Sequence, residues 1–357
     1  MFWLWAGFIA FVLLLLTLDL GVFHRKAHVD SMKEALAWSA MWIALGLSFS
    51  VFVYFGYEGQ WLGLGVEPDP IDGVVNGGGT ALQRYLTGYL VEESLSMDNV
   101  FVMALLFGFF AVPPMYRHRV LFWGILGAIV LRGIMIGVGA RLVAEFHWIL
   151  YLFGVFLIFT AVKMLFLETR HQDPNQNVVV RLARRLFPIT ARYHGEHFII
   201  RAPTHGSQES RQPGAAVEPD EVVDRARPGM LLLTPLALAL VVIESTDVVF
   251  AVDSIPAIFA VTADPFLVFT SNVCAILGLR SLYFVLAGMM DKFRYLRVSL
   301  ALVLLLVGVK MLVASRLKAL IGEHFDFYLL AAVLLILAGG IIASLLADRR
   351  GASGTEG

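Results

Sequence analysis

The sequence of 357 residues has little charge and almost no cysteine. Charged residues make up 15% of it, whereas a soluble domain would contain about 25%. The single cysteine, Cys274, excludes a disulfide framework and a thiolate metal site. No glycine-rich phosphate loop and no nucleophile–base motif is present, so we expect neither direct ATP use nor enzyme activity. The formal net charge of −1 indicates no nucleic-acid partner.

What the sequence has instead is long apolar runs. Hydrophobic residues make up 59% of the chain, and the mean hydropathy is +0.78. We therefore predict an all-α, multi-pass membrane protein, because about 20 apolar residues cross the hydrocarbon layer as a helix. The first run lacks a basic start and a cleavage site, so we expect it to be retained. The nine predicted transmembrane helices cover 2–23, 35–57, 81–111, 119–141, 146–167, 230–262, 265–290, 296–315 and 326–347.

Basic residues orient this stack. Lys and Arg concentrate in alternate short loops, which predicts an N-terminus outside and a C-terminus in the cytoplasm. The long polar loop 168–229 then lies in the cytoplasm, with a basic amphipathic helix over 177–188 and a linker-like composition over 203–227. The predicted units are the two-helix segment 1–57, a three-helix unit 81–167, the loop 168–229, a second three-helix unit 230–315 and the helix 326–347.

The two three-helix units resemble each other. The acidic pattern "EESLSMDN" (92–99) in the first matches "DVVFAVDS" (247–254) in the second, and an arginine and then a lysine follow at similar spacing in both. Three is an odd number, so the second copy enters the membrane from the opposite face. The sequence thus predicts an inverted repeat of helices 3–5 and 6–8, the architecture of many secondary transporters with a central substrate site. The matched pairs are Glu92 with Asp247, Asp98 with Asp253, Asn99 with Ser254, Arg132 with Arg280, and Lys163 with Lys310.

The predicted spans contain more acids than bases. A charge at the bilayer centre costs about 2.5–3.5 kcal/mol on insertion scales. Ion pairing between helices neutralises four acids and leaves three that need a proton, water or a cation. The acids are Asp19, Glu92, Glu93, Asp98, Glu244, Asp247 and Asp253, and the bases are Arg132, Lys163, Arg280 and Lys310.

From these groups we predict a cation site at the repeat interface. Its ligands are Asp98 and Asp253 at the centre, Glu92 and Asp247 beside them, and Asn99 and Ser254. Each acid pair is six residues apart, about 120° around a helix, so convergence on one ion requires a backbone break, which Pro256 favours. Oxygen ligands favour a hard cation such as Mg²⁺, Ca²⁺ or Mn²⁺.

The remaining intramembrane charges have two interpretations each, structural pairing or a role at the site. Arg132 and Arg280 fit counter-ions of the empty acidic site. Lys163 and Lys310 lie near predicted helix ends, from which their ammonium groups can extend to the membrane surface by snorkelling. Three further acids have open roles: Asp19 as a helix-end charge or a gate, and Glu93 and Glu244, which have no match in the other copy.

The motifs "ESLSMDNVFV", "VIESTDVVFAVDSIPAIFAVT" and "LDLGVFHRK" together resemble the TerC integral membrane family, over about residues 10–347. That resemblance implies membrane proteins named for tellurium resistance, several of them regarded as manganese exporters. It also implies that Glu92, Asp98, Asp247 and Asp253 are the family's intramembrane acids.

We therefore expect a bacterial inner-membrane exporter of Mn²⁺ or a similar divalent cation, with proton exchange and no bound cofactor. The alternatives are a membrane scaffold in tellurite resistance or stress response, and an H⁺ or Na⁺ transporter in pH homeostasis.

Overall fold

The computed structural model describes residues 1–19, 31–71, 73–146, 148–166, 181, 188–190, 192–202, 227, 229–287, 296–321 and 325–353, with Asp98 and several helix-end residues described by backbone alone. Ten α-helices and two short strands make up most of this part. The helices are α1 Phe2–Leu18, α2 Met32–Glu58, α3 Gly78–Phe109, α4 Pro114–Glu145, α5 Ile149–Phe166, α6 Pro235–Phe259, α7 Pro265–Leu277, α8 Leu279–Ala287, α9 Leu296–Ile321 and α10 Phe325–Ser353.

The all-α membrane class is confirmed. Five helices (α2, α4, α5, α6 and the apolar part of α10) are long and apolar enough to cross a membrane, and the pair α7–α8 makes a sixth if it is one bent span. The apolar stretches of α1 and α9 are 10–17 residues long, which is shorter than the 18 residues required of a spanning helix. The count of nine spans stays a prediction.

Local sequence explains where several helices start. Ser31 accepts a hydrogen bond from the backbone of Glu34 and the Glu34 side chain accepts one in return, which forms a capping box at α2. Thr234 caps α6 and Asp264 caps α7, each followed by a proline at the first helical position. These signals fix the start of the first two helices in the second predicted unit.

The expected breaks beside the acidic pairs are absent. Both α3 and α6 are continuous, and α6 runs through Pro256 to Phe259. One proline removes a single backbone hydrogen bond, which a packed membrane helix tolerates. The predicted helix 265–290 is broken instead: at Gly278, α7 and α8 meet at an angle of 44°.

Contacts along α3 show that it runs parallel to α7 and α8. At one end the Asn76 amide donates to Asp264 over 3.5 Å. At the other end the rings of Phe107 and Tyr283 lie 5.3 Å apart. The helix α3 therefore lies beside the full length of the bent pair.

The helix α4 runs with α6 and against α3. Gly127 contacts Glu244, and Gly139, further along α4, contacts Phe259 at the end of α6. Because α6 and α7 run in opposite directions, α3 and α6 do so as well. The two helices that carry the matched acids thus cross the protein in opposite directions.

The loop between α5 and α6 is not all linker. Strand β1, Ile199–Arg201, pairs antiparallel with β2, Leu231–Leu233, with Ile199 opposite Leu233. This small sheet sits where the chain enters α6. The segment 203–226, and all but Arg181 and Pro188 of the amphipathic helix predicted over 177–188, lie outside the described residues.

Two glycines hold α5 against α9. A Cβ at Gly308 would lie 2.9 Å from Ile158 Cγ1 and 3.0 Å from the carbonyl oxygen of Gly154. Small residues allow such close approach between membrane helices.

We expect Gly308→Ala to lower stability by about 1–3 kcal/mol, since its methyl group has no room. The measurement is the thermal unfolding midpoint in detergent. Gly137→Ala is the matched control, because a Cβ there meets no atom within 4 Å. A Gly308→Ala midpoint equal to that of Gly137→Ala would contradict this account of the contact.

Candidate functional site

The structural centre of the candidate site is Arg132, halfway along α4 and 1% exposed. Its guanidinium donates twice to Asp247 of α6, with Nη2 2.8 Å from Oδ1 and Nε 3.1 Å from Oδ2. Its Nη1 also donates to Glu92 of α3 and lies 3.4 Å from Ser254 Oγ. The matched acids of the two predicted repeat copies therefore meet on one arginine.

The charges in this cluster do not balance. With Glu92 and Asp247 ionised, two negative charges share one positive charge. In addition, Glu92 Oε2 is buried and has no hydrogen-bond partner among the described residues. Buried charges are stable when they are paired and hydrogen-bonded. With both acids ionised the cluster carries one net negative charge, which a proton or a cation would neutralise.

The second arginine of the matched pair behaves differently. Arg280 of α8 donates through Nη2 to Asp19 at the end of α1, which lies outside the predicted repeat. Both side chains are buried. Asp19 is therefore paired with Arg280 and is not a lone helix-end charge.

Of the two acids predicted at the centre of the site, Asp253 has no described hydrogen bond to Arg132. Asp253 accepts a hydrogen bond from Thr160 Oγ1 of α5 over 3.3 Å. The side chain of Asp98 lies outside the described part of the structure. Asn99 is buried on α3. The described part of the chain contains no group of three or more His, Cys, Asp or Glu side chains that would hold a metal ion, so the predicted ligand set stays a prediction.

The other predicted charges divide into buried and exposed ones. Glu244 packs closely on Gly127, where an added Cβ would overlap the Glu244 carboxylate, and Glu93 is partly buried on α3. Lys163 is exposed near the end of α5, which agrees with snorkelling. The same prediction is wrong for Lys310, which is buried, because α9 continues to Ile321 and leaves this lysine far from a helix end.

Sequence reasoning missed a second buried charge cluster, at the opposite end of α3 from Phe107. Asp69 accepts from Arg84 Nη1 over 2.8 Å, from the Thr262 hydroxyl and from the backbone N–H of Ala263 over 3.2 Å. It ties the loop before α3 to the turn between α6 and α7. The sequence offers one signal, the segment 58–80, which contains acids but no Lys or Arg, and this does not identify partners far away in sequence.

Asp264 extends this cluster by a second set of contacts. Its Oδ1 accepts from the backbone N–H of Phe266 over 3.0 Å, which caps α7. Its Oδ2 accepts from the Tyr57 hydroxyl over 2.8 Å. Burial nevertheless raises the pKa of Asp264 above its ordinary value, and the Tyr57 hydrogen bond opposes that shift.

A raised carboxyl pKa makes stability depend on pH in a definite direction. The folded protein binds the proton more tightly than the unfolded chain, so this contribution is lost as the pH rises from about 3.9 through the folded pKa. We expect Asp264→Asn, which keeps a capping oxygen, to flatten that fall. The unfolding midpoint measured against pH tests this, and a constant difference between variant and wild type at every pH would contradict it.

These features define a class: a multi-pass helical membrane protein with charged side chains clustered inside the helix bundle. The chain belongs to the TerC family, because the model of the integral membrane protein TerC family matches residues 78–352. The match includes every helix from α3 to α9 and most of α10.

Relatives extend the likeness over nearly the whole chain. An uncharacterized membrane protein of Myxococcus xanthus is 45% identical over 97% of this chain and 93% of its own length. A protein of Escherichia coli K12 named "putative membrane-bound redox modulator Alx" is 43% identical over 87% of this chain and 86% of its own length. A Rickettsia bellii membrane protein is 33% identical over 96% of this chain and 97% of its own length. No solved structure matches.

Proposed function

We propose that this protein is a secondary transporter of the bacterial inner membrane that exports Mn²⁺, or a similar hard divalent cation, in exchange for protons. The observation that carries the proposal is Arg132 bound between Glu92 and Asp247. An arginine placed between two buried acids supplies the positive charge that a transported cation would otherwise supply. The oxygen ligands at hand suit hard cations.

The helix directions support an alternating-access mechanism. The acids come from α3 and α6, which run in opposite directions, as the two halves of an inverted repeat do. Closely packed Gly154 and Gly308 join α5 to α9, the third helix of each predicted copy. Two such halves rock against each other around a central site and expose it to one side at a time.

Proton exchange follows from the charge of the cluster. When both acids are ionised, the cluster of Glu92, Asp247 and Arg132 carries one net negative charge. Either a proton or a metal cation removes that charge, so the two compete for the same carboxylates. Entry of protons from outside would then release the metal ion, and the carboxylates would return their protons to the cytoplasmic side when the next metal ion binds.

The test is flux in proteoliposomes that contain the purified protein. We expect Mn²⁺ to cross when a pH gradient is imposed, with proton movement in the opposite direction. The double variant Asp98→Asn, Asp253→Asn should reach the membrane and lose this flux. Normal Mn²⁺ flux from that variant would remove both residues from the ligand set, and flux of Na⁺ or H⁺ without Mn²⁺ would replace the proposed substrate.

A second candidate is a membrane component that modulates redox or stress responses without transport. The name of the E. coli relative, a putative membrane-bound redox modulator, favours it. Deletion of 203–227 separates the two candidates. Transport leaves the metal flux of the deletion variant nearly normal, whereas a scaffold that acts through its cytoplasmic loop loses activity.

A further inference from the structure

An asparagine in α7 has no explanation in the ion pairs described above. Asn272 is 0% exposed, and neither its amide nitrogen nor its amide oxygen has a hydrogen-bond partner among the described residues. Nearly all buried polar side-chain groups in proteins are hydrogen-bonded, because an unpaired one is costly. A carboxamide with both groups unpaired indicates that a partner is absent from this conformation.

Neighbouring residues of α7 show where this amide is directed. A Cβ at Gly88 of α3 would lie 2.9 Å from Ser271 Oγ, and a Cβ at Gly133 of α4 would lie 3.1 Å from the Phe269 ring. Successive residues are about 100° apart around a helix, so Asn272 projects between the side that meets α3 and the side that meets α4.

The Arg132 cluster lies on this side of α7. Glu92 is one turn beyond Gly88 on α3, and Arg132 directly precedes Gly133 on α4. The space between α3, α4 and α7 therefore contains the carboxylate of Glu92, the guanidinium of Arg132 and the face of α7 that bears Asn272.

Two more buried oxygens without partners lie on α3. Glu92 Oε2 and Ser96 Oγ both lack a hydrogen-bond partner among the described residues, and the two residues are one turn apart on the same side of the helix. Ser96 is 1% exposed. A carboxylate, a hydroxyl and a carboxamide oxygen are ligand types that hard divalent cations take.

We propose that Asn272 is a neutral ligand of the transported cation, its Oδ1 binding the ion together with Glu92 Oε2 and Ser96 Oγ. This inference rests on the proposed function and adds a residue that the repeat comparison did not contain. The ion would bind the Glu92 oxygen that has no hydrogen-bond partner among the described residues, whereas Arg132 donates to the other oxygen.

The experiment compares the unfolding midpoint of purified variants at increasing Mn²⁺ concentration. A ligand that binds only the folded state raises the midpoint, and the half-effective concentration reports affinity. We expect Asn272→Leu to fold at least as well as wild type without metal, because leucine needs no hydrogen bonds. Its half-effective Mn²⁺ concentration should rise about tenfold or more.

Two other variants serve as controls. Asn272→Asp keeps an oxygen in place and should retain Mn²⁺-induced stabilisation. Ser39→Ala, on α2, removes another buried hydroxyl that has no hydrogen-bond partner in the described part of the chain, and should respond to Mn²⁺ as wild type does. Mn²⁺ flux in proteoliposomes should be retained by Asn272→Asp and Ser39→Ala and lowered in Asn272→Leu.

The possible results separate this inference from the proposed function. Asn272→Leu with wild-type response and flux would overturn the ligand role. Failure of Asn272→Leu, Asn272→Ala and Asn272→Asp to fold would assign the amide a structural role and overturn it as well. A wild-type protein that neither responds to Mn²⁺ nor transports it would contradict the proposed function first and this inference with it.

Discussion

Replacing Arg132 by methionine lowers the stability of the folded protein by about 3–5 kcal/mol, because it leaves two buried carboxylates without their counter-ion. Glu92 and Asp247 depend on that one guanidinium for all their described ion pairs. The effect is the largest that we expect from any single substitution in the chain. It is measured as the thermal or denaturant midpoint of detergent-purified protein.

Neutralising the two acids as well should restore the stability that Arg132→Met loses. The triple variant Arg132→Met, Glu92→Gln, Asp247→Asn has no buried charge in the cluster and should recover most of the lost stability, since apolar or neutral replacements of a complete buried ion pair are often tolerated. Arg141→Gln is the matched control, because that arginine pairs with Glu145 on the surface with its side chain 82% exposed. We expect a change of at most about 1 kcal/mol there. A stable Arg132→Met single variant would contradict the described pairing.

Replacing Asp247 by asparagine should separate transport from folding. Arg132 keeps Glu92 as a partner, so no uncompensated positive charge remains and the protein stays folded. The cluster, however, loses the carboxylate that makes it negative. We expect the affinity for Mn²⁺ to fall about tenfold to a hundredfold, as measured by flux at low metal concentration.

Arg84, paired with Asp69 at the other charged cluster, provides the control for that experiment. Arg84→Lys alters a buried ion pair far from the proposed site and should leave the metal affinity unchanged while lowering stability. Asp247→Asn with wild-type affinity would show that the Arg132 cluster only holds helices together.

Much of the helical framework is predictable from hydropathy, because apolar run length and capping residues determine where membrane helices lie. The third predicted helix, 81–111, compares with Gly78–Phe109, and the fourth, 119–141, lies within Pro114–Glu145. The break in 265–290 is not predictable in this way, because it depends on Gly278 packing against Trp42 of α2.

The site is only partly predictable. The matched motifs pair Glu92 with Asp247 and Arg132 with Arg280. The surplus of acids in the predicted spans then indicates that an arginine acts as their counter-ion. Which arginine takes that role is not contained in the repeat, since the partner of Arg280 is Asp19 on a helix outside it. Asn272 has a weaker signal, the polar group "TSN" within an apolar run, and it has no match in the first copy.

The buried cluster around Asp69 shows most clearly what sequence motifs do not predict. Asp69 and Thr262 are 193 residues apart in sequence and meet only through the packing of a loop against a turn. No periodicity encodes such a contact. The contacts of the short loops between helices are therefore the part of this protein that its sequence predicts least.

The cluster of Glu92, Arg132 and Asp247 is proposed to be the site at which a metal cation is exchanged for protons. The most direct measurement follows Mn²⁺ and H⁺ together in proteoliposomes that contain either wild-type protein or the charge-neutral triple variant. Opposite movements of the two ions in wild type, and neither movement in the folded triple variant, are the predicted result. A folded triple variant that moves Mn²⁺ at the wild-type rate would contradict the claim.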